Sequence, residues 1–381
     1  MEFINLEKIV DIYLGITHTP EYVSVGVPFL SVKDISKGKI DFSNCKYISV
    51  EEFNSFPKGA KPQKGDILFC RVGTIGKPII IPDDVPQFGS FVSLGFLRLK
   101  TKNWNPQFIK YWMESDLFWK QVKQNTKGAS QVNLNTNWLK KFIIPEFSIE
   151  IQNEIVEELN KITNLINLSQ VNLNNYDAIV KSQFIEMFGD PIDNDKNWDT
   201  EQIQNVISIN KYKGNVELLN GKVWLLNLDM IESNSGNILN YIYENEENIP
   251  SSTIKFNNKS VLYSKLRPYL NKVVIPNQSG YATSELISMV PNDLINKYFL
   301  ANLLRYESFV NFANGTAYGA KMPRASVDEI KKFQLILPPI ELQNKFADFV
   351  QQIDKSKDVI QKQIRLLEEM LETKMKEYFG D

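Results

Sequence analysis

The chain has 381 residues, of which 43% are hydrophobic and 23% are charged, an ordinary composition for globular domains. This composition excludes a disordered, collagen-like or disulfide-framework protein, and the length predicts two or three domains. The net charge of -2 argues against a uniformly basic DNA coat but leaves room for local basic surfaces.

Cysteine and histidine are too scarce for several kinds of site. Two cysteines, Cys45 and Cys70, suit a compartment that keeps thiols reduced. The single histidine, His18, lies in a turn-like stretch and is expected on the surface, so histidine-based hydrolysis and multi-histidine zinc sites are excluded. The first residues show no basic region followed by an apolar stretch, and no apolar span of roughly 20 residues is found, so we expect neither a signal peptide nor a membrane span. We expect a cytoplasmic protein with no membrane contact, no metal site and no catalytic residue.

The first part of the chain mixes strands with short helices. β-rich runs bounded by Gly, Pro and Asp predict strands at Ile67–Val72, Ile79–Ile81 and Phe91–Leu99. Apolar residues at helical spacing predict one helix over Asn105–Lys123, and Leu294–Phe312 repeats its pattern. Asn105-Pro106 also resembles the start of an adenine-methyltransferase loop, but the second proline is missing, and the pair is interpreted as a helix start.

The sequence contains an internal repeat that covers most of its length. A shift of 191 residues aligns about a hundred positions without gaps, among them Gly89 with Gly280, Phe108 with Phe299, and Phe188-Gly189-Asp190 with Phe379-Gly380-Asp381. Upstream the shift becomes 194, which places Asp66–Val72 opposite Ser260–Leu266. An insertion in a surface loop explains the change of register. We therefore expect two copies of one architecture.

Each copy ends in a long amphipathic segment. Apolar residues alternate at spacings of four and three, a heptad seam that predicts a paired helix of about 48 Å. The seam consists of Ile155, Leu159, Ile162, Ile166, Leu173, Val180, Val350, Ile353, Ile360, Ile364, Leu367 and Leu371. The other copy in the same chain is the expected partner; a helix folded back on its own domain is the alternative. The expected division is 1–148, 149–190, 191–339 and 340–381.

Charge separates these parts. Residues 150–190 carry two lysines against seven acids, and residues 340–381 carry seven basic residues against nine acids. The remaining residues carry 34 basic and 29 acidic side chains, and many of the basic ones lie in Gly- and amide-containing loops. Lys and Arg neutralise phosphates, whereas Arg, Asn and Gln can pair with base edges. Recurrence of such loops in both copies favours DNA contact over solvated surface loops. No P-loop and no GxGxxG motif is present.

The duplicated arrangement resembles the specificity subunit of type I restriction-modification systems along essentially the whole chain. The resemblance is carried by Tyr263–Tyr269 with its partner Phe69–Val72, by the turns Glu146–Asn153 and Pro338–Asn344 into each helix, and by the Phe-Gly-Asp helix ends. It implies an α+β fold: two similar mixed α/β target-recognition domains separated by two long antiparallel coiled-coil helices, related by a pseudo-twofold internal repeat.

The resemblance also implies a function. Residues 1–148 and 191–339 would each read one half of a bipartite double-stranded DNA target. The helices 149–190 and 340–381 would set the spacer and dock two methyltransferase (modification) subunits. These partners would bring S-adenosylmethionine, so that the chain itself holds no cofactor, and a restriction translocase-nuclease subunit would join to cut.

The basic loops supply the candidate DNA-binding residues. For the first half-site we expect Arg71, Lys77, Lys127, Gln131 and Asn133. For the second half-site we expect Lys265, Arg267, Tyr318, Lys321 and Arg324. Two alternatives remain open at this point: a stand-alone DNA adenine methyltransferase or nuclease acting at a split site, and a coiled-coil scaffold that binds no DNA.

Overall fold

The computed structural model describes residues 2–35, 38–73, 75–125, 133–210 and 212–380. Internal contacts divide the chain into a first unit, residues 1–168 with 363–381, and a second unit, residues 169–362. Both boundaries fall inside long helices. Each unit therefore consists of one mixed α/β part and one half of each long helix.

The first unit begins with a series of short strands. These are β1 (Phe3–Asn5), β2 (Val10–Leu14), β3 (Tyr22–Val23), β4 (Val27–Leu30), β5 (Lys46–Ile48), β6 (Ile67–Cys70), β7 (Gly76–Ile80), β8 (Gly89–Ser90), β9 (Leu94–Leu99) and β10 (Ile143–Pro145). Its helices are α1 (Val32–Ile35), α2 (Val50–Ser55), α3 (Pro106–Glu114), α4 (Asp116–Asn125) and α5 (Thr136–Lys140), with 3-10 turns at Leu6–Lys8 and Lys58–Ala60. Helix α6 (Ile149–Phe188) runs from the first unit into the second.

The second unit repeats most of this series. Its strands are β11 (Thr200–Gln202), β12 (Ile207–Ile209), β13 (Val223–Leu226), β14 (Ile242–Glu244), β15 (Ile254–Phe256), β16 (Val261–Ser264), β17 (Val273–Val274), β18 (Gly280–Ala282), β19 (Leu286–Pro291) and β20 (Gln334–Ile336). Its helices are α7 (Ile203–Val206), α8 (Lys297–Arg305), α9 (Glu307–Gly315) and α10 (Val327–Lys332), with 3-10 turns at Leu228–Met230, Glu246–Asn248 and Pro268–Leu270. Helix α11 (Ile340–Phe379) runs back into the first unit.

The two units share most of their sheet topology, although β3 beside β5 in the first unit and β15 beside β18 in the second are not equivalent. The antiparallel sheet β2-β9-β6-β7 of the first unit has its counterpart in β12-β19-β16-β17 of the second. The ladder β1-β10 corresponds to β11-β20, and the parallel pair β4-β8 corresponds to β13-β18. The repeat found in the sequence is therefore a repeat of the fold.

Strand β6 shows why these strands are continuous apolar runs. Ile67 and Phe69 belong to one core, shared with α3, whereas Leu68 and Cys70 belong to a second core on the opposite face. Successive side chains of a strand point to opposite faces, so a strand covered on both faces needs apolar residues at every position. All four residues are fully buried.

The helix predicted over Asn105–Lys123 is wrong as a single element, because the chain breaks at Ser115 between α3 and α4. Ser115 has an extended backbone with ψ of 159°. Its Oγ donates to the carbonyl of Trp112 at 2.7 Å and accepts from the Phe118 N–H at 3.4 Å. A serine that satisfies both helix ends competes with a continuous helix, which hydrophobic spacing alone does not reveal. The start at Asn105 is as expected, since its side chain caps α3.

The long helices pair in antiparallel fashion. In the second unit, Asp177 forms an ion pair with Lys357. Eleven residues further along α6, Phe188 meets Phe346, which lies eleven residues earlier in α11, with ring centroids 5.5 Å apart. In the first unit, Glu158 pairs with Lys374 at 3.1 Å. A helix folded back on its own domain is thereby excluded as the main packing.

The ends of the long helices pack deep in the two units. Phe188, near the end of α6, lies 4.7 Å from Phe299 in the second unit, and Phe379, at the end of α11, lies 5.1 Å from Phe108 in the first. Gly189 continues from Phe188 with φ of 74°, the left-handed conformation that commonly ends a helix. Each helix therefore closes the core of the unit built mainly from the other repeat.

Candidate nucleic-acid interface

Two loops of the second unit bring the predicted basic residues together. We call residues 265–272, after β16, the strand loop, and residues 316–326, between α9 and α10, the return loop. The Arg267 N–H donates to the Pro323 carbonyl at 2.7 Å, and the Ala325 N–H donates to the Lys265 carbonyl at 2.8 Å. These backbone bonds join the strand loop to the return loop.

The strand loop presents one cation to solvent in a constrained conformation. Arg267 has φ of 49°, a left-handed conformation that costs a non-glycine residue energy, and its side chain is exposed. Its neighbour Tyr269 is 53% exposed, whereas Lys265 is half-buried with its N–H bonded to the Glu285 carbonyl at 3.0 Å. The left-handed residue thus directs the chain from β16 into the exposed 3-10 turn.

Arg324 of the return loop is held by a carboxylate. Its Nε atom lies 3.1 and 3.0 Å from the two carboxylate oxygens of Glu285, and its Nη2 atom lies 2.7 Å from Oε1. These bonds lower the pKa of Glu285, because they favour its charged form. The guanidinium that the sequence predicts for DNA contact is therefore engaged within the protein.

The tip of the return loop is exposed. Tyr318 and Arg324 exchange backbone hydrogen bonds of 3.1 and 2.9 Å, which makes the residues between them the turn of a small hairpin. Tyr318 is 66% exposed, Met322 is 46% exposed, and Lys321 is also exposed. A hairpin that carries a cation and two apolar side chains outward can contact both phosphates and base edges.

The first unit builds a corresponding arrangement around Arg71, which follows β6. Its Nε atom donates to the Leu134 carbonyl at 3.0 Å, Nη1 to the Val92 carbonyl at 2.9 Å, and Nη2 to Oδ1 of Asn133 at 3.2 Å. Burial lowers the pKa of Arg71. Lys77 is exposed and has φ of 51°, and Asn133 is exposed. Lys127 and Gln131 lie outside the described residues.

Sequence reasoning did not select Glu285, Met322 or Tyr269. Glu285 could have been identified from the sequence, because it is the only acidic residue between positions 255 and 292. A single acid in a basic stretch is a candidate partner for a cation. Tyr269 and Met322 had no such signal, since exposed apolar residues are common on protein surfaces.

The side chains of the predicted helix seam are shielded from solvent. All twelve of its residues are buried or half-buried, and Leu159, for example, is fully buried. Residues on the outer faces are exposed, including Leu168 at 58% and Leu366 at 66%. The pairs Ile155 with Leu371 and Val180 with Val350 belong to the cores of the first and second units, respectively.

Other kinds of site find little support. The ring of His18 is exposed, and its Nε2 atom lies 3.1 Å from Oε1 of Glu52. Over the described ranges, no three His, Cys, Asp or Glu side chains gather as metal ligands would. Over the same ranges, none of the helices has the length and apolar character needed to cross a bilayer.

Relatives of known function match parts of the chain. It is 28% identical over 148 residues to the type I restriction enzyme EcoBI specificity subunit of Escherichia coli, which covers 39% of this chain and 31% of that protein. It is 25% identical over 178 residues to the MjaVIII specificity subunit of Methanocaldococcus jannaschii, which covers 44% and 41%, respectively. The matches thus span less than half the length of these relatives.

Solved structures share the fold over the whole chain. A chain from work on complex assembly and conformational transition of the type I R-M system covers 100% of this chain and 98% of its own length, with 14% identity and a TM-score of 0.58. The S subunit of a type I restriction-modification system from M. genitalium covers 100% and 96%, with 14% identity and a TM-score of 0.54. At this identity the likeness concerns the fold.

A family model described as the type I restriction modification DNA specificity domain matches residues 16–176 and 195–369. The two matched segments correspond to the two sequence repeats and include most of the chain. The chain therefore belongs to the type I restriction modification DNA specificity domain family.

Proposed function

We propose that this chain is the DNA sequence-recognition subunit of a type I restriction-modification complex. The loops of each unit read one part of a bipartite double-stranded target. The paired helices set the spacer and dock two methyltransferase subunits, which supply S-adenosylmethionine and the methyl transfer. A translocase-nuclease subunit joins the complex to cut, and the complex works in the cytoplasm, where its DNA substrate is found.

The observation that carries this proposal is the repeated pairing of two loops. Each unit joins the loop after its central strand, β6 or β16, to the loop before its last short helix, and each pair of loops carries exposed polar or cationic side chains. Cationic and amide side chains suit phosphates and base edges. The acidic long helices suit protein partners, since phosphates repel them.

The test is reconstitution with the methyltransferase subunits of the same system. The purified chain alone is expected to transfer no methyl group from S-adenosylmethionine. The reconstituted complex is expected to methylate adenine at a bipartite motif, identified by methylation mapping of the host genome. Methyl transfer by the chain alone would instead support a stand-alone methyltransferase, and a complex that shifts no DNA would support a scaffold.

A further inference from the structure

In each unit one arginine braces the two loops that backbone hydrogen bonds join. In the second unit the cation is Arg324 on the return loop, and its acceptor Glu285 also accepts the Lys265 N–H of the strand loop through its backbone carbonyl. In the first unit the cation is Arg71, which follows β6, and its acceptors include Leu134 and Asn133 before α5. A charge-assisted or multiply bonded arginine is among the stronger polar ties available to a loop.

The two arginines lie on different loops of the pair. The register of 194 places Arg71 opposite Lys265, and the register of 191 places Asn133 opposite Arg324. The arginine therefore belongs to the loop after the central strand in one unit and to the return loop in the other. The residues differ between the units: Arg71 bonds the neighbouring loop directly at Asn133 and Leu134, whereas Arg324 reaches the strand loop through Glu285.

The remaining groups at the second loop pair are free to meet a ligand. Arg324 shares its charge with the carboxylate of Glu285, so contact with a phosphate would require the pair to break. The Nζ atom of Lys321 makes no hydrogen bond or ion pair with any residue that the structure describes. Tyr318 and Met322 are exposed on either side of it.

We propose that Arg324 and Arg71 are positioning residues that hold these loops, and that the exposed tip Tyr318–Met322 contacts the DNA. The inference rests on the proposed function for its DNA part. The restraint of the return loop by Arg324 is a property of the free protein and can be measured without DNA.

The Glu285→Ala variant separates a positioning role from direct contact, because the two predict opposite signs. If Arg324 contacts DNA directly, removing Glu285 frees a cation and removes a negative charge, so binding by the reconstituted complex becomes tighter. If Glu285 and Arg324 hold the loop, Glu285→Ala weakens binding roughly three- to tenfold, as Arg324→Ala does, the range expected for a partly exposed charge-assisted tie. Glu285→Gln keeps the side-chain shape and is expected to lie between wild type and Glu285→Ala.

Loop opening is measured on the free full-length chain by tryptic cleavage after Lys321. Release of the tie is expected to speed this cleavage roughly three- to tenfold, because the protease acts on the opened loop. The exchange variant Glu285→Arg with Arg324→Glu is expected to restore both slow cleavage and DNA binding. Lys321→Ala is the comparison variant, because it removes a proposed phosphate contact and leaves the Glu285–Arg324 pair intact. We expect it to weaken DNA binding and to reduce the slope of log K against log salt concentration by about 0.9, the value for one phosphate contact. Hydrogen exchange of the return loop should remain unchanged in that variant.

The outcomes are distinct. Tighter binding by Glu285→Ala, unchanged cleavage, or failure of the exchange variant to restore binding while it folds normally by circular dichroism would each overturn the positioning role. If no variant and no wild-type complex binds DNA, while cleavage still follows the tie, the proposed function fails and the mechanical role stands.

Discussion

The buried side chain of Gln343 accepts a hydrogen bond at Oε1 from the backbone N–H of Asn296, at 2.9 Å. Its Nε2 atom donates to the carbonyls of Leu294 and Pro338, at 3.2 and 2.7 Å. In the first unit, 191 residues earlier, Gln152 accepts the N–H bond of Asn105 at the same distance of 2.9 Å. This glutamine fixes the start of a long helix against the start of the first helix after the central sheet.

Replacing Gln343 by alanine is expected to destabilise the protein by about 2–4 kcal/mol, because three backbone groups lose their partner in a site without solvent access. Urea denaturation followed by circular dichroism measures the loss. Gln352→Ala, at an exposed position of the same helix, is the control and should cost less than about 0.5 kcal/mol. Equal effects of the two substitutions would contradict the structural role of Gln343.

Phe379→Ala is expected to lower the free energy of unfolding of the first unit by about 3–5 kcal/mol, since the ring is fully buried against Phe108 and its removal leaves a cavity. Tryptophan fluorescence can follow this unit, which contains Trp104, Trp112, Trp119 and Trp138 among the six tryptophans of the chain. Leu366→Ala on the same helix, 66% exposed, should have little effect. A first unit as stable as wild type after loss of Phe379 would refute the packing.

Asp354 of α11 is expected to give a specific pH dependence. Asp354 keeps substantial contact with solvent, yet the protein atoms around its carboxyl partly desolvate it and raise its pKa; Asp358 and Asp177 reinforce the shift, and Lys357 and Arg305 oppose it. The folded state therefore holds this proton more tightly than the unfolded chain, so ionisation of Asp354 costs stability as pH rises through its folded pKa. Because solvent screens this exposed carboxylate, Asp354→Asn should be only slightly more stable than wild type at neutral pH, and the difference should vanish below the ordinary pKa of aspartate. Thermal melts of both proteins across pH 3–8 test this; a less stable variant at neutral pH would contradict it.

The proposed spacer role predicts the effect of longer helices. Insertion of seven residues after Ser169, with a matching insertion in α11 to keep the seam, adds about 10 Å of helix, or roughly three base pairs of DNA. Methylation mapping should then show both half-sites unchanged and a longer spacer. An unaltered spacer in a folded variant would contradict the proposal that helix length sets the distance between the half-sites.

The features predictable from the sequence are those that recur or repeat periodically. The register of 191 predicted the duplicated fold, and the heptad spacing from Ile155 to Val180 predicted a long helix, because a repeat and a period can both be detected in the sequence alone. Helix pairing within one chain was one of two alternatives, and the contacts of Glu158 and Asp177 decide between them.

Features that depend on contacts distant in sequence were less predictable. The pair of Glu285 and Arg324 joins residues 39 positions apart, and neither the register nor the spacing indicates which acid will face which cation. Arg71 was selected for its charge, but its position beside the carbonyls of Val92 and Leu134 can be seen only once the strands are assembled. The break at Ser115 depends on one hydroxyl group that satisfies two helix ends.

The distribution of the long helices between the units has a consequence for biosynthesis. Residues 169–362 form a continuous segment that contains everything the second unit needs. The first unit, by contrast, lacks part of its core until residues 363–380 have left the ribosome, although translation of its other residues ends at position 168. The first unit is therefore completed after the second although most of its residues are translated before it, and its core leaves apolar surface exposed in the meantime, the condition under which unfinished domains aggregate.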